Sequence, residues 1–149
     1  MIANGEACKR LGLKPLARIV AMSVIGSDPV IMLEGPIPAT KKVLEKAGLS
    51  MDDIDLFEVN EAFGSVPLAW SKAMKAELSK LNVNGGAQAL GHPLGRTGAK
   101  LMATIGHEFN ASGQLQRLLA TSGGGATATH TLNTRRSGES STRGEPTHA

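Results

Sequence analysis

The chain has 149 residues, enough for one domain with a core of its own. Hydrophobic residues make up 41% and charged residues 19%, at a net charge of +3, which excludes a disordered chain and a strongly basic nucleic-acid binder. Three Phe and one Trp are too few for a stacking surface, no apolar run reaches the length of a membrane span, and a lone cysteine, Cys8, excludes an intrachain disulfide or a cysteine-based zinc site.

Ile2 to Leu11 reads as a short helix stopped by Gly12, with no capping signal ahead of it. "LARIVAMSVIG", Leu16 to Gly26, is almost continuously apolar and rich in β-branched residues, which predicts a strand buried on both faces. "GPIPATKKVLEKAG" predicts a helix with Pro38 in its first turn, a stripe of Ala39, Val43, Leu44 and Ala47, and Gly48 as its stop. A strand, "IDLFEV", follows over Ile54 to Val59. The next helix runs from Glu61 to about Leu78, with Phe63, Val66, Trp70, Ala73 and Met74 at helical spacing and Pro67 tolerated only in the first turn. Beyond a glycine-rich loop, "GAKLMATIGHEF" predicts another helix, through Leu101, Met102, Ile105 and Phe109. Two strands, Leu115 to Thr121 and Ala126 to Leu132, join through Gly123, Gly124 and Gly125. The order predicts an α/β domain over residues 1–133, with a mixed sheet, helices on its faces and an antiparallel pair at the end. Residues 134–149 contain no Val, Ile, Leu, Met or Phe and read as a disordered tail.

Three segments carry candidate chemistry. In "NVNGGAQALGHPLGRTG", Asn82 to Gly98, five glycines and Pro93 surround His92 just ahead of a helix. Pro93 restricts His92 to an extended backbone, and Gly91 and Gly95 permit close approach. A neutral imidazole so placed can accept a proton from a nucleophile. Asn60 stands where a strand passes into a helix, a position that suits an N-cap and equally suits a ligand site at the carboxyl end of a strand. The run Ser122-Gly123-Gly124-Gly125 is either a plain hairpin or a set of backbone N–H groups facing an anion. "GGGATA" is followed by a strand and is no dinucleotide fingerprint. His107-Glu108 lacks a second histidine four residues away, so it reads as a solvated helix face and no metal site is expected.

Together, "NVNGGAQALGHPLGRTG", "VNEAFG" and "GPIPATKKVLEKAGLSMDDIDLFEVNEAF" resemble the C-terminal half of thiolases, the acyl-CoA C-acyltransferases, over roughly Gly5 to Ala128. The resemblance implies a thiolase-like half with a mixed five-stranded sheet and helices on both faces. It implies that His92 activates a nucleophilic cysteine and helps bind the thioester oxygen, with Asn60 holding a water in the same oxyanion hole. Ala62 and Phe63 would line the pantetheine path, and the backbone of Gly123 and Gly124 would serve a second oxyanion hole. No cofactor is implied beyond the CoA thioester that is the substrate. The expected partners are acyl-CoA or CoA and a thiolase N-terminal half or a second copy of the chain, with neither nucleic acid nor membrane. The expected location is the cytoplasm or an organelle matrix.

Two departures bear on activity. The family's nucleophilic cysteine belongs to the N-terminal half, and Cys8 matches no catalytic position. Where the family has a second cysteine, as base for the α-proton, this chain has Thr121 or Ser122, and an unactivated hydroxyl is a poor substitute. The resulting expectation is a thiolase C-terminal domain that is inactive as an isolated chain. A non-catalytic acyl-CoA-binding or assembly module and a degenerate gene remnant are the alternatives.

Overall fold

The computed structural model describes residues 1–111, 116–123 and 127–135. Helix α1, Gly5–Arg10, has a cap that the sequence reading missed: the Asn4 side chain accepts a hydrogen bond from the Ala7 N–H at 2.8 Å. Strand β1, Ala17–Gly26, leads to α2, Pro36–Ala47, which starts at a proline and ends on Gly48 in the left-handed conformation, as its punctuation predicts. Strand β2, Leu56–Val59, and α3, Ser65–Met74, follow, with Pro67 in the first turn of α3. The α3 stripe is Val66, Pro67, Trp70, Ser71 and Met74, whereas Phe63 precedes the helix and is exposed, as is Ala73. The short α4, Ala87–Leu90, and the long α5, Thr97–Ala111, flank the His92 loop. Strands β3, Gln116–Gly123, and β4, Thr127–Arg135, complete the chain order. β4 continues through Thr134 and Arg135, and the rest of the expected tail, 136–149, lies outside the described residues.

The sheet is mixed and has four strands among the described residues, in the order β1-β4-β3-β2. β1 and β3 pair antiparallel with β4, and β2 pairs parallel with β3. A fifth strand is not found among the described residues; beside β2, Leu81 makes a single parallel bridge with Phe57. That pairing goes no further because Asn82 takes a φ of +49°, and a left-handed residue ends an extended run.

Alternation along the strands divides the core in two. Leu118 and Ala120 of β3 and Phe57 and Val59 of β2 pack against Val43 and Leu44 of α2 and Trp70 and Met74 of α3. Trp70 anchors this side. Its ring lies 5.2 Å from that of Phe57, centroid to centroid, and its Nε1–H donates to Thr40 Oγ1 at 2.9 Å. Leu119, one residue along β3, points the other way and packs against Leu101 and Ile105 of α5. The domain thus has helices on both faces of the sheet.

The edge strand β1 corrects one expectation. It is not buried on both faces: Val20, Met22 and Val24 are exposed at 42%, 57% and 60%. A bulge between Ile19 and Ala21 leaves Val20 without a partner on β4 and reverses the faces. Ala17, ahead of it, packs with the α5 cluster, while Ala21, beyond it, packs with the α2 and α3 cluster.

Candidate active site

Asn60 follows β2 directly. Its N–H donates to the Ala120 carbonyl at 2.9 Å, extending the parallel ladder by one step. It does not cap α3, which begins five residues later with Gly64 at its N-cap. The residue is 2% exposed, and its Oδ1 has no hydrogen-bond partner among the described residues. A buried amide oxygen in that condition is costly unless a water or ligand donates to it. Ala62 is half-buried, while Phe63 is 60% exposed in the turn ahead of α3.

His92 is exposed in the loop between α4 and α5, and a specific network orients its ring. Nδ1 lies 2.7 Å from Thr97 Oγ1, and the Thr97 hydroxyl itself donates to the Pro93 carbonyl at 3.0 Å. With that bond made, the geometry favours the Thr97 hydroxyl as acceptor from Nδ1–H, the tautomer that leaves the lone pair on Nε2. Thr97 is 4% exposed, which shields the network from water. On the other flank, Gly91 has a φ of +83°, and its carbonyl accepts from Lys100 Nζ at 3.0 Å. The glycine is required there because a side chain would strain that backbone.

The strand register relates these residues. Val59 is level with Ala120, so Asn60 and Thr121 are the next residues along two neighbouring parallel strands. Thr121 belongs with Leu119 to the alternate row of β3 that faces α5, and it is half-buried. Ser122 and Gly123 close β3 opposite Ala128 and Thr127, and Gly124 lies outside the described residues. Asn60, Thr121 and the loop entering α5 thus share one end and one side of the sheet. Cys8 is half-buried in α1.

Sequence reasoning passed over three residues. Glu58 is 3% exposed in β2, level with Leu119 under α5. Burial pushes its carboxyl from the ordinary 4.5 up to about 7; Arg117 and Lys100 oppose the rise, and Glu61 and Glu108 add to it. Arg117, 1% exposed in β3, stands 3.7 Å from the Glu108 carboxylate of α5, and burial lowers its pKa. Glu108 is therefore half-buried and paired rather than part of a solvated face. Asn82 is the third, and its amide binds the end of β2. The available signals were a charge inside each of two apolar strands and an asparagine beside Gly85-Gly86. No group of three or more His, Cys, Asp or Glu able to hold a metal, and no helix long and apolar enough to cross a membrane, occurs among the described residues.

The family description "Thiolase, C-terminal domain" matches residues 13–134. The chain is 51% identical over 132 residues to a steroid 3-ketoacyl-CoA thiolase of Mycobacterium tuberculosis, covering 89% of this chain and 32% of that protein. It is 50% identical over 113 residues to the human mitochondrial 3-ketoacyl-CoA thiolase, covering 76% of this chain and 28% of that protein. The crystal structure of the latter in complex with CoA superimposes with a TM-score of 0.88 at 43% identity, over 91% of this chain and 34% of that chain. The chain spans about a third of the length of the curated relatives it matches. It belongs to the thiolase family, whose C-terminal domain it forms.

Proposed function

We propose that this domain supplies the His92 and Asn60 half of a thiolase-type acyl-CoA C-acyltransferase site, acting on acyl-CoA or 3-ketoacyl-CoA, and that a thiolase N-terminal half supplies the nucleophilic thiol. The observation that carries the reading is the 2.7 Å contact of His92 Nδ1 with the buried Thr97 hydroxyl, which orients the ring and leaves Nε2 to serve as the base. Nε2 takes the thiol proton, and the thiolate attacks the thioester carbonyl carbon. The protonated Nε2 then donates to the developing oxyanion, with a water held by Asn60 Oδ1 as the second donor. The C–S bond to CoA breaks, the proton returns to the leaving sulfur, and an acyl-enzyme remains. In condensation a second thioester loses its α-proton to a base, its α-carbon attacks the acyl-enzyme carbonyl, and the enzyme thiolate leaves. In thiolysis the thiolate instead attacks the 3-keto carbon, the C2–C3 bond breaks, the released enolate takes a proton, and CoA then accepts the acyl group and frees the enzyme thiol. Ala62 and Phe63 line the pantetheine path, and the glycine backbone at Gly123 and Gly124 serves the second oxyanion. The reaction needs no cofactor other than CoA. A reducing compartment, cytoplasm or organelle matrix, suits thiol chemistry.

Thr121 or Ser122 stands in this reading in place of the thiol that serves as base for the α-proton, and Thr121 follows Ala120 on the strand beside Asn60. That replacement favours a second reading, in which the domain binds acyl-CoA or assists assembly without turning it over. The test is 3-ketoacyl-CoA thiolysis by the chain alone, by the chain with a separately produced thiolase N-terminal half, and by the same mixture carrying Thr121→Cys. We expect no turnover alone, weak turnover in the mixture and an increase of about tenfold or more with the cysteine. Turnover by the isolated chain would refute the shared-site assignment. Calorimetric acyl-CoA binding by the mixture without turnover, even with Thr121→Cys, would select the second reading.

A further inference from the structure

Asn60 and Glu61 are consecutive, yet their side chains have different tasks. The Glu61 carboxylate sits between two segments that follow it by more than twenty residues. Its Oε1 accepts from Asn82 Nδ2 at 2.8 Å, and its Oε2 accepts from the Gln88 N–H at 2.8 Å. Asn82 in turn behaves as a one-residue strand. Its N–H donates to the Phe57 carbonyl at 2.8 Å, its Oδ1 accepts from the Val59 N–H at 2.8 Å, and its Nδ2 donates to the Val59 carbonyl at 3.0 Å. The left-handed backbone of Asn82 lets main chain and side chain serve β2 together. Gly86 closes the arrangement, because a Cβ there would overlap the Glu61 carboxylate.

Gln88 lies in the first turn of α4, and α4 ends at Gly91, the residue before His92. The N-terminal end of the loop bearing His92 is therefore tied twice, to Glu61 through α4 and to Lys100 through the Gly91 carbonyl. Each link is a charge-assisted hydrogen bond, the stronger kind. Without Glu61, α4 and the loop are linked to β2 only through the chain itself, across glycines that resist no rotation.

We propose that Glu61, acting with Asn82 and the bare Gly86, is a positioning residue that fixes His92 relative to Asn60. It touches neither reacting atoms nor substrate and works through α4. The proposal rests on the reading that His92 and Asn60 serve one thioester. It also explains why the peptide after Asn60 bears a carboxylate: one short segment supplies an oxyanion-hole amide and the anchor for its partner histidine.

Glu61→Gln is the sharpest test, because the amide keeps the shape but meets one of its two donors with another donor. Two readouts are needed on the full chain: the His92 tautomer from its ring 15N shifts, and amide exchange at Gln88. In the wild type we expect one tautomer, protonated on Nδ1, and a protected Gln88 amide. In Glu61→Gln the tautomers mix and Gln88 exchanges roughly tenfold faster or more, while Leu118 and Leu119 exchange as before. Asn82→Ala, which removes the side-chain bonds to Val59 and to Glu61 Oε1 but leaves the Gln88 contact, should shift both readouts in the same direction and less far. An unchanged tautomer with unchanged Gln88 exchange in Glu61→Gln overturns the proposal. Unfolding of both variants also overturns it, by making Glu61 a support of the whole fold. A wild-type His92 that already mixes tautomers would sink the acid–base reading of His92, while Gln88 exchange would still decide the anchor.

Discussion

The two sides of the sheet are built differently. On the α2 and α3 side the core is continuous and apolar, from Val43 and Leu44 through Phe57 and Trp70 to Leu118. Its buried polar groups are neutral hydroxyls with partners: Ser23 donates to the Ala39 carbonyl at 2.9 Å, Thr40 to that of Pro36 at 2.8 Å and Ser71 to that of Ala76 at 3.0 Å. On the α5 side the buried apolar cluster among the described residues is Leu101, Ile105 and Leu119. Around them lie Glu58 and Arg117, two buried charged residues, and Asn60 with an unpartnered oxygen. The same sheet thus has one face that stabilises and one that tolerates costly groups for the sake of a site.

That contrast is broken most strongly by removing one residue from each side. Trp70→Ala should cost about 3–5 kcal/mol of stability in urea denaturation, since it deletes the largest buried side chain and one of the two hydrogen bonds of the Thr40 hydroxyl. His92→Ala should change stability by about 0.5 kcal/mol or less, because the ring is exposed. It should nevertheless lower thiolysis in the mixture with an N-terminal half by about 10²–10⁴-fold, the range for a general base. Comparable stability losses in the two variants would erase the distinction between the sides.

A smaller effect isolates the charged group on the α5 side. In the unfolded chain Glu58 ionises at its ordinary 4.5, and in the folded domain burial delays this to about 7. Between those values the folded state keeps a proton that the unfolded state has lost. Stability therefore falls as pH rises through this window, and the penalty is complete above it. The shift corresponds to roughly 3 kcal/mol at about 1.4 kcal/mol per unit. Glu58→Gln should match the wild type near pH 4 and exceed it near pH 8 in denaturant titrations. A difference between the two proteins that does not change with pH would show that Glu58 bears no such penalty.

Much of this was legible in the sequence where the signal was local. Pro38 and Pro67 each fall in a first turn, Gly48 stops α2, and the glycine-rich run around His92 and the asparagine after β2 marked the candidate site segments. What escaped depended on distant partners. Arg117 and Glu58 are 59 positions apart and meet only through the β2 and β3 register. The bracing of the loop by Glu61 links residues 61, 82 and 88, a spacing with no period. The pairing of Leu81 with Phe57 stops at one dihedral angle, that of Asn82. β1 misled for another reason: with Ile19, Val20, Ala21, Met22, Val24 and Ile25 all apolar, neither face announces itself as the exposed one.

The exposed row of β1 supports the smallest predicted effect on the domain itself and the clearest on its assembly. Val20, Met22 and Val24 cover no element of the described chain, although Met22 is level with Thr131, and Thr131 with Leu119, on the α5 side. An apolar row continuous with a buried cluster is what a packed partner would cover, and the proposed N-terminal half suits it. Met22→Lys should alter the stability of the isolated domain by about 0.5 kcal/mol or less, the size of a surface substitution. With the partner half present it buries an unpaired charge, so association should weaken by roughly a hundredfold in sedimentation or calorimetry. Leu78→Lys is the matched control, an equally exposed apolar residue outside β1. If both substitutions weaken association alike, general surface hydrophobicity drives it. If Met22→Lys alone does, the open face of β1 is the surface that the other half completes.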